Sequence, residues 1–234
     1  MAGNRPEEQV AVPVALQTWR HVTFLHWAYR PDDVQRLLPP GLSVDLVDGH
    51  AWVGLTPFSV EAFRVPGLPP LPIVSQFPET NLRTYVRGPN GKEGLWFLSI
   101  DVESLLMVLG ARLPLGVPYL PADMRVEAGE TLVYQSRRLI GDAHHRIEVR
   151  PGEPAGDLPE RDALLIGRWR AFTRRAGRLL EVPVEHEPWP VHAATLVALD
   201  ESVTRAAGLP PPQEPPLVHY APCVHARLGL PRLV

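Results

Sequence analysis

The chain has 234 residues, 45% of them apolar and 21% charged, with a formal net charge of −3. This balance describes a folding globular chain long enough to bury a sizeable core as one domain, and it excludes disordered and fibrous classes. It also lacks the basic footprint that nucleic-acid phosphates require, so nucleic acid is not an expected partner.

No apolar run approaches the roughly 20 residues of a bilayer-spanning helix, so no membrane association is expected. The first residues, MAGNRPEEQVAVPVALQTW, lack the basic start and apolar run of a secretory signal. Residues 1–18 read as an N-terminal extension and 19–230 as a single domain. Cys223 stands alone, which rules out an internal disulfide, fits a cytoplasmic protein and suits a small packed hydrophobe.

In chain order, Trp19 to Trp27 (WRHVTFLHW) alternates with period two and predicts the first strand. Asp32 to Leu38, between Pro31 and Pro39, predicts a short helix. Ser43 to Val47 and Ala51 to Phe63 predict strands joined at Asp48-Gly49, and VPGLPPLP (65–72) predicts an ordered wrapping loop. Asn81 to Arg87 and Leu95 to Asp101 form the next predicted hairpin, around Asn90-Gly91. Glu103 to Leu109 predicts a helix, followed by the proline-rich LPLGVPYLP (113–121). Thr131 to Arg138 and Ala143 to Arg150 pair around Gly141-Asp142.

A helix is predicted at Pro159 to Gly167, a solvated hairpin at Arg174 to Arg178 (RRAGR), a helix at Asp200 to Ala207 and a wrapping loop at GLPPPQEPP (208–216). The whole predicts an α+β, β-dominated domain: an antiparallel sheet, closed or nearly closed into a barrel so that no long edge is exposed, with a few short helices.

Alternation through FPETNLRTYVR places Glu79, Asn81, Arg83 and Tyr85 on one strand face. Facing solvent, they would be an ordinary polar surface. Facing a barrel interior, a carboxylate, an amide, a guanidinium and a phenol within one strand would make a small-ligand site.

His26 reads as a buried or rim histidine. His144 and His145 point to opposite strand faces and so cannot share a metal. His186, Glu187 and His192 lack a metal-binding spacing, so no metal and no cofactor are expected. Trp189, between Pro188 and Pro190, reads as a lid residue rather than a ligand contact. Lys92, the only lysine beside 22 arginines, lies next to Asn90-Gly91 at an expected exposed hairpin tip. Nucleophile-elbow, phosphate-loop and dinucleotide motifs are absent.

The segment SIDVESLLMVLGARLPLGVPYLPADM, with WRHVTFLHW, LLPPGL, AWVGLTPF, FPETNLRTYVRG and VEHEPWP in order, resembles the YqjF-type family of uncharacterised bacterial proteins over roughly Trp19 to Leu228. More distantly, it is similar to the acetoacetate decarboxylase-like superfamily, which implies a closed or cone-shaped β-barrel around an interior site. In those decarboxylases a Gly-Arg-Glu step precedes a Gly-x-Pro-Lys-Lys turn, where the first lysine forms a Schiff base and the second lowers its pKa.

This chain has Gly110-Ala111-Arg112 and then Gly116-Val117-Pro118-Tyr119-Leu120, with Tyr119 and Leu120 where the two lysines would stand. An imine needs a primary amine, so Schiff-base decarboxylation is not expected. The resemblance does place Glu79 at the position of an interior glutamate.

The expected ligand is a small organic acid, held by Arg83, Arg112, Tyr119, Tyr85 and Asn81. Two alternatives stand beside this reading: an enzyme of lyase or isomerase type using Glu79 as acid or base, and a non-catalytic interaction scaffold. A homo-oligomer is left open.

Overall fold

A computed structural model of the chain describes residues 9–69, 75–104, 108 and 116–234. Its strands are β1 (Pro13–Tyr29), β2 (Ser43–Val44), β3 (Ala51–Arg64), β4 (Phe77–Arg87), β5 (Glu93–Val102), β6 (Tyr119–Glu127), β7 (Leu132–Arg138), β8 (His144–Pro154), β9 (Arg170–Arg175), β10 (Arg178–Glu185), β11 (His192–Glu201), β12 (Leu217–Gly229) and β13 (Arg232–Leu233). The short helices given in full by the described residues are α1 (Pro31–Gln35), α2 (Glu160–Ile166) and α3 (Val203–Ala206). None is long and apolar enough to cross a membrane. The helix expected over Glu103 to Leu109 falls mostly outside the described residues.

Ala176 and Gly177 take positive φ in the exposed β9–β10 hairpin turn, as expected. Asp48 and Gly49 also take positive φ and turn the chain at the Val47–His50 bridge, but β2 is shorter than expected and pairs with β4 instead of forming a hairpin with β3. β1 begins at Pro13 and pairs with β12 from there, so the sheet reaches into the segment read as an extension. Proline is tolerated as the first residue of a strand, and Ala15 and Gln17 continue the alternation. Pairing is antiparallel except where β5 meets β6 and β9, both parallel. Consecutive strands that run parallel need a long crossover, and β5 and β6 are joined through residues 103–118.

The sheet closes twice. One ring runs β5–β6–β7–β8–β11–β12–β1–β3–β4 and returns through the β4–β5 pairing. The other runs β12–β10–β9–β5–β4–β3–β1 and returns through the β1–β12 pairing. The first ring is filled by Leu25, Trp27, Val53, Leu55, Leu82, Leu132, Tyr134, Ile147 and Val149. The arc shared by both rings is largely enclosed, and within it β4 is buried from Glu79 to Val86. Thr80 and Leu82 face the filled ring, where Leu82 joins the core and Thr80 bonds His145 at 3.0 Å.

A bulge re-aims β1. Between Arg20 and Leu25 this strand advances five residues while β3 advances four, and the extra residue, His21, has φ 54°. Side chains at 15, 17 and 19 and those at 22 and 24 thereby reach the same interior.

At the parallel β5–β6 junction, Arg138 donates from Nε to Asp101 and from Nη2 to Ser99, each at 2.7 Å, and Ser136 donates to Asp101 at 3.1 Å. Asp101 is almost wholly buried. Arg138→Met strands that carboxylate without its cation, so we expect a loss of about 3–5 kcal/mol in urea unfolding. The double variant with Asp101→Asn should recover part of the loss.

Candidate functional site

The second ring encloses a cavity of about 640 Å³, walled by side chains from β1, β3, β4, β5, β9, β10 and β12. Most of the wall is apolar, from Val22, Phe24, Phe58, Phe97, Ile100 and Trp189 among others. Into it project Glu79, Asn81 and Arg83 from β4 and Tyr119 from the start of β6, four of the residues expected from the sequence.

Tyr85 shares their strand face but does not line the cavity. It is packed under α2 with Trp52, Leu95 and Leu165, and its hydroxyl donates to the Leu165 carbonyl at 2.7 Å. Arg112 lies outside the described residues. Lys92 is exposed, lies outside the wall and pairs with the buried Glu181 at 2.9 Å. It is thus held by an ion pair rather than simply solvated.

Glu79 is buried beside Phe77, Phe58 and Ile100, and its carboxyl accepts a hydrogen bond from the Tyr119 hydroxyl at 3.3 Å and another from Asn81. Burial disfavours the ionised form more than these two bonds favour it, and the pKa is pushed up to about 8. Burial also raises the Tyr119 phenol well above its ordinary value, so it stays a donor.

Arg83 crosses the wall toward β1, with its guanidinium carbon 5.3 Å from the centre of the Phe24 ring. Gly54 makes this path possible. It pairs with both His26 and Arg83, and a Cβ there would stand 3.0 Å from the His26 ring and 3.4 Å from Arg83 Nε. His26 is buried behind the wall, as the sequence suggested, and lies 2.7 Å from the Tyr85 hydroxyl. The phenol has one proton and gives it to Leu165, so His26 Nε2 is the donor and the ring is neutral. Burial, with Arg83 nearby, holds its pKa well below the ordinary histidine range.

Arg83 Nε and Nη2 have no hydrogen-bond partner among the described residues, and no ion pair is seen between Arg83 and Glu79. Four residues of strand separate the two, about 13 Å. Arg168 also lines the cavity but is committed to Asp45 and Glu93.

Sequence reasoning missed several wall residues. Thr56 comes from AWVGLTPF, where alternation with Gly54 was available as a signal. Trp189 lines the cavity and packs against Phe24 and Trp19 instead of only capping it. His186, its ring against Trp169 and Trp189, is buried with a pKa lowered to about 4. No described group of three or more His, Cys, Asp or Glu side chains could hold a metal.

The ring-closed, strand-dominated sheet has the fold of acetoacetate decarboxylase-like proteins. An acetoacetate decarboxylase from Legionella pneumophila superposes with a TM-score of 0.65 at 15% identity, covering 96% of this chain and 88% of that one. The enduracididine biosynthesis enzyme MppR complexed with pyruvate gives 0.65 at 14% identity, covering 97% and 93%. An acetoacetate decarboxylase-like enzyme from Sphingomonas wittichii RW1 gives 0.62 at 15%, covering 97% and 95%.

The sequence itself is 35% identical over 224 residues to the uncharacterized protein YqjF of Bacillus subtilis (strain 168), covering 92% of each chain. The sequence model of DUF2071, an uncharacterized conserved protein, matches residues 16–225. The chain belongs to this YqjF-type DUF2071 family.

The raised pKa of Glu79 has a definite sign in stability. The folded state holds the proton up to about pH 8, whereas the unfolded chain releases it near 4.5, so stability falls as pH rises through that window. The buried histidines at 26, 145 and 186 all have lowered values, so their contributions change below about pH 6.5. Between about pH 6.5 and 8 the native protein should lose roughly 1–2 kcal/mol relative to Glu79→Gln. Urea midpoints across that range measure it, and parallel curves for the two proteins would contradict the buried neutral carboxyl.

Proposed function

We propose that this protein binds a small organic acid with an apolar body in the enclosed cavity, its carboxylate on Arg83, without imine chemistry and in the cytoplasm. The observation that carries the reading is a buried guanidinium with two nitrogens lacking partners at the wall of a largely apolar cavity. A buried, uncompensated charge costs several kcal/mol, and a carboxylate supplies both the opposite charge and parallel acceptors for the arginine fork.

Glu79 cannot supply that charge at neutral pH, since it stays protonated and far along the strand. The only lysine lies outside the wall, which supports binding without an imine. MppR, similar in fold, was solved with pyruvate, itself a small carboxylate. A net charge of −3 favours neither nucleic acid nor an anionic surface as partner. A pure scaffold role would leave the polar face of β4 packed against a filled interior, and the cavity supports ligand binding instead.

Calorimetric titration with matched pairs, each acid against its neutral amide, tests this reading. We expect the acid to bind at least about tenfold more tightly, and Arg83→Met to remove the difference. Equal affinities for acid and amide would overturn it.

A second reading, acid–base catalysis, is favoured by one observation: Glu79, with a pKa near neutrality and the Tyr119 hydroxyl on its carboxyl, faces the same cavity. Such a pair can take a proton from carbon next to a carbonyl and return one. Incubating 2-oxo and 3-oxo acids with the protein in D2O should then give deuterium exchange that rises through about pH 8, as Glu79 ionises, and is lost in Glu79→Gln. Absence of exchange above the buffer rate would leave binding as the function.

A further inference from the structure

The wall beside Arg83 carries two more buried polar atoms without partners, and their chemistry specifies a second group on the ligand. Thr56 and Asn81 oppose each other across β3 and β4, two residues along from the Gly54 and Arg83 pair. They are 2% and 5% exposed, both line the cavity, and Thr56 Oγ1 and Asn81 Oδ1 have no hydrogen-bond partner among the described residues. Asn81 turns its amide nitrogen to Glu79, which leaves its oxygen, an acceptor, toward the cavity. The threonine hydroxyl can donate and accept.

One ligand oxygen that donates to Asn81 and accepts from Thr56 satisfies both. A hydroxyl does this; a ketone can only accept, and an alkyl chain does neither. An ammonium could donate to both, but it would sit beside the uncompensated Arg83 cation. A ligand that leaves either atom unmet forfeits its hydrogen bond after desolvating it, so the candidates differ enough in affinity to be selected.

We infer that the ligand is a hydroxy acid: a carboxylate on Arg83 and, on the apolar body, a hydroxyl held between Thr56 and Asn81. This rests on Arg83 taking a carboxylate, the reading argued above. The two pairs stand two residues apart along the strands, about 6.6–7 Å between backbone positions, so the probes carry their hydroxyl several carbons from the carboxylate.

The test is calorimetric titration of the full-length protein with 5-hydroxyhexanoate, 5-oxohexanoate, hexanoate and 5-hydroxyhexanamide under one buffer condition. The hydroxy acid should bind about tenfold or more tightly than either the keto or the unsubstituted acid. Thr56→Val should shrink that margin severalfold and Thr56→Ser should preserve it. Three acids of equal affinity, all tighter than the amide, would overturn the hydroxyl assignment and leave the carboxylate reading standing. A hydroxy acid no tighter than its amide would overturn the carboxylate reading itself, and no measurable binding by any probe would overturn both.

Discussion

Everything in this molecule depends on the arc of strands β12, β1, β3, β4 and β5 belonging to two closed rings at once. A strand in one ring has an inner and an outer face; where a strand runs between both it has two inner faces and little access to water, as β4 does. On such strands every polar side chain must find a partner inside or face a cavity, because burial without a partner costs about as much as a lost hydrogen bond or more. β4 meets this condition differently on its two sides. One side packs Leu82 into the filled core and ties Thr80 to His145. The other presents Glu79, Asn81 and Arg83 to the cavity.

Within that cavity the two ionisable groups of β4 respond differently to the same low dielectric. A carboxyl can take up a proton, and Glu79 does so, assisted by its distance from any compensating cation. Arginine has no such escape, because its guanidinium does not deprotonate in proteins. The interior is therefore biased toward positive charge although the whole chain is slightly acidic. A net charge says little about a site that the fold has sealed off from the surface.

The likeness to acetoacetate decarboxylase-like proteins extends to fold at low sequence identity, and the chemistry here turns on what occupies particular positions. Neither Tyr119 nor Leu120 offers an amine at the start of β6, and the tyrosine is a hydrogen-bond donor to Glu79. Shared architecture carries no residue roles with it, which is why function has to be argued from the site.

Much was legible in the chain itself, because it follows from local rules. Alternation located β1, β3, β4, β5, β7 and β8, and Asp48-Gly49, Asn90-Gly91 and Ala176-Gly177 encode turns through backbone angles that few residues adopt. Lys92 is the only lysine in the chain, so no other side chain carries the primary amine that an imine needs. Strand alternation also grouped Glu79, Asn81 and Arg83, although it grouped Tyr85 with them.

What alternation cannot say is whether a face meets water, packed side chains or empty space. Tertiary structure alone decided that Tyr85 is covered by α2, and that Trp189 and Thr56 join the wall. It also decided that the His21 bulge turns Trp19 and Phe24 toward one interior. These outcomes depend on contacts between strands distant in sequence and on a one-residue shift in register, and neither leaves a periodic trace in the chain.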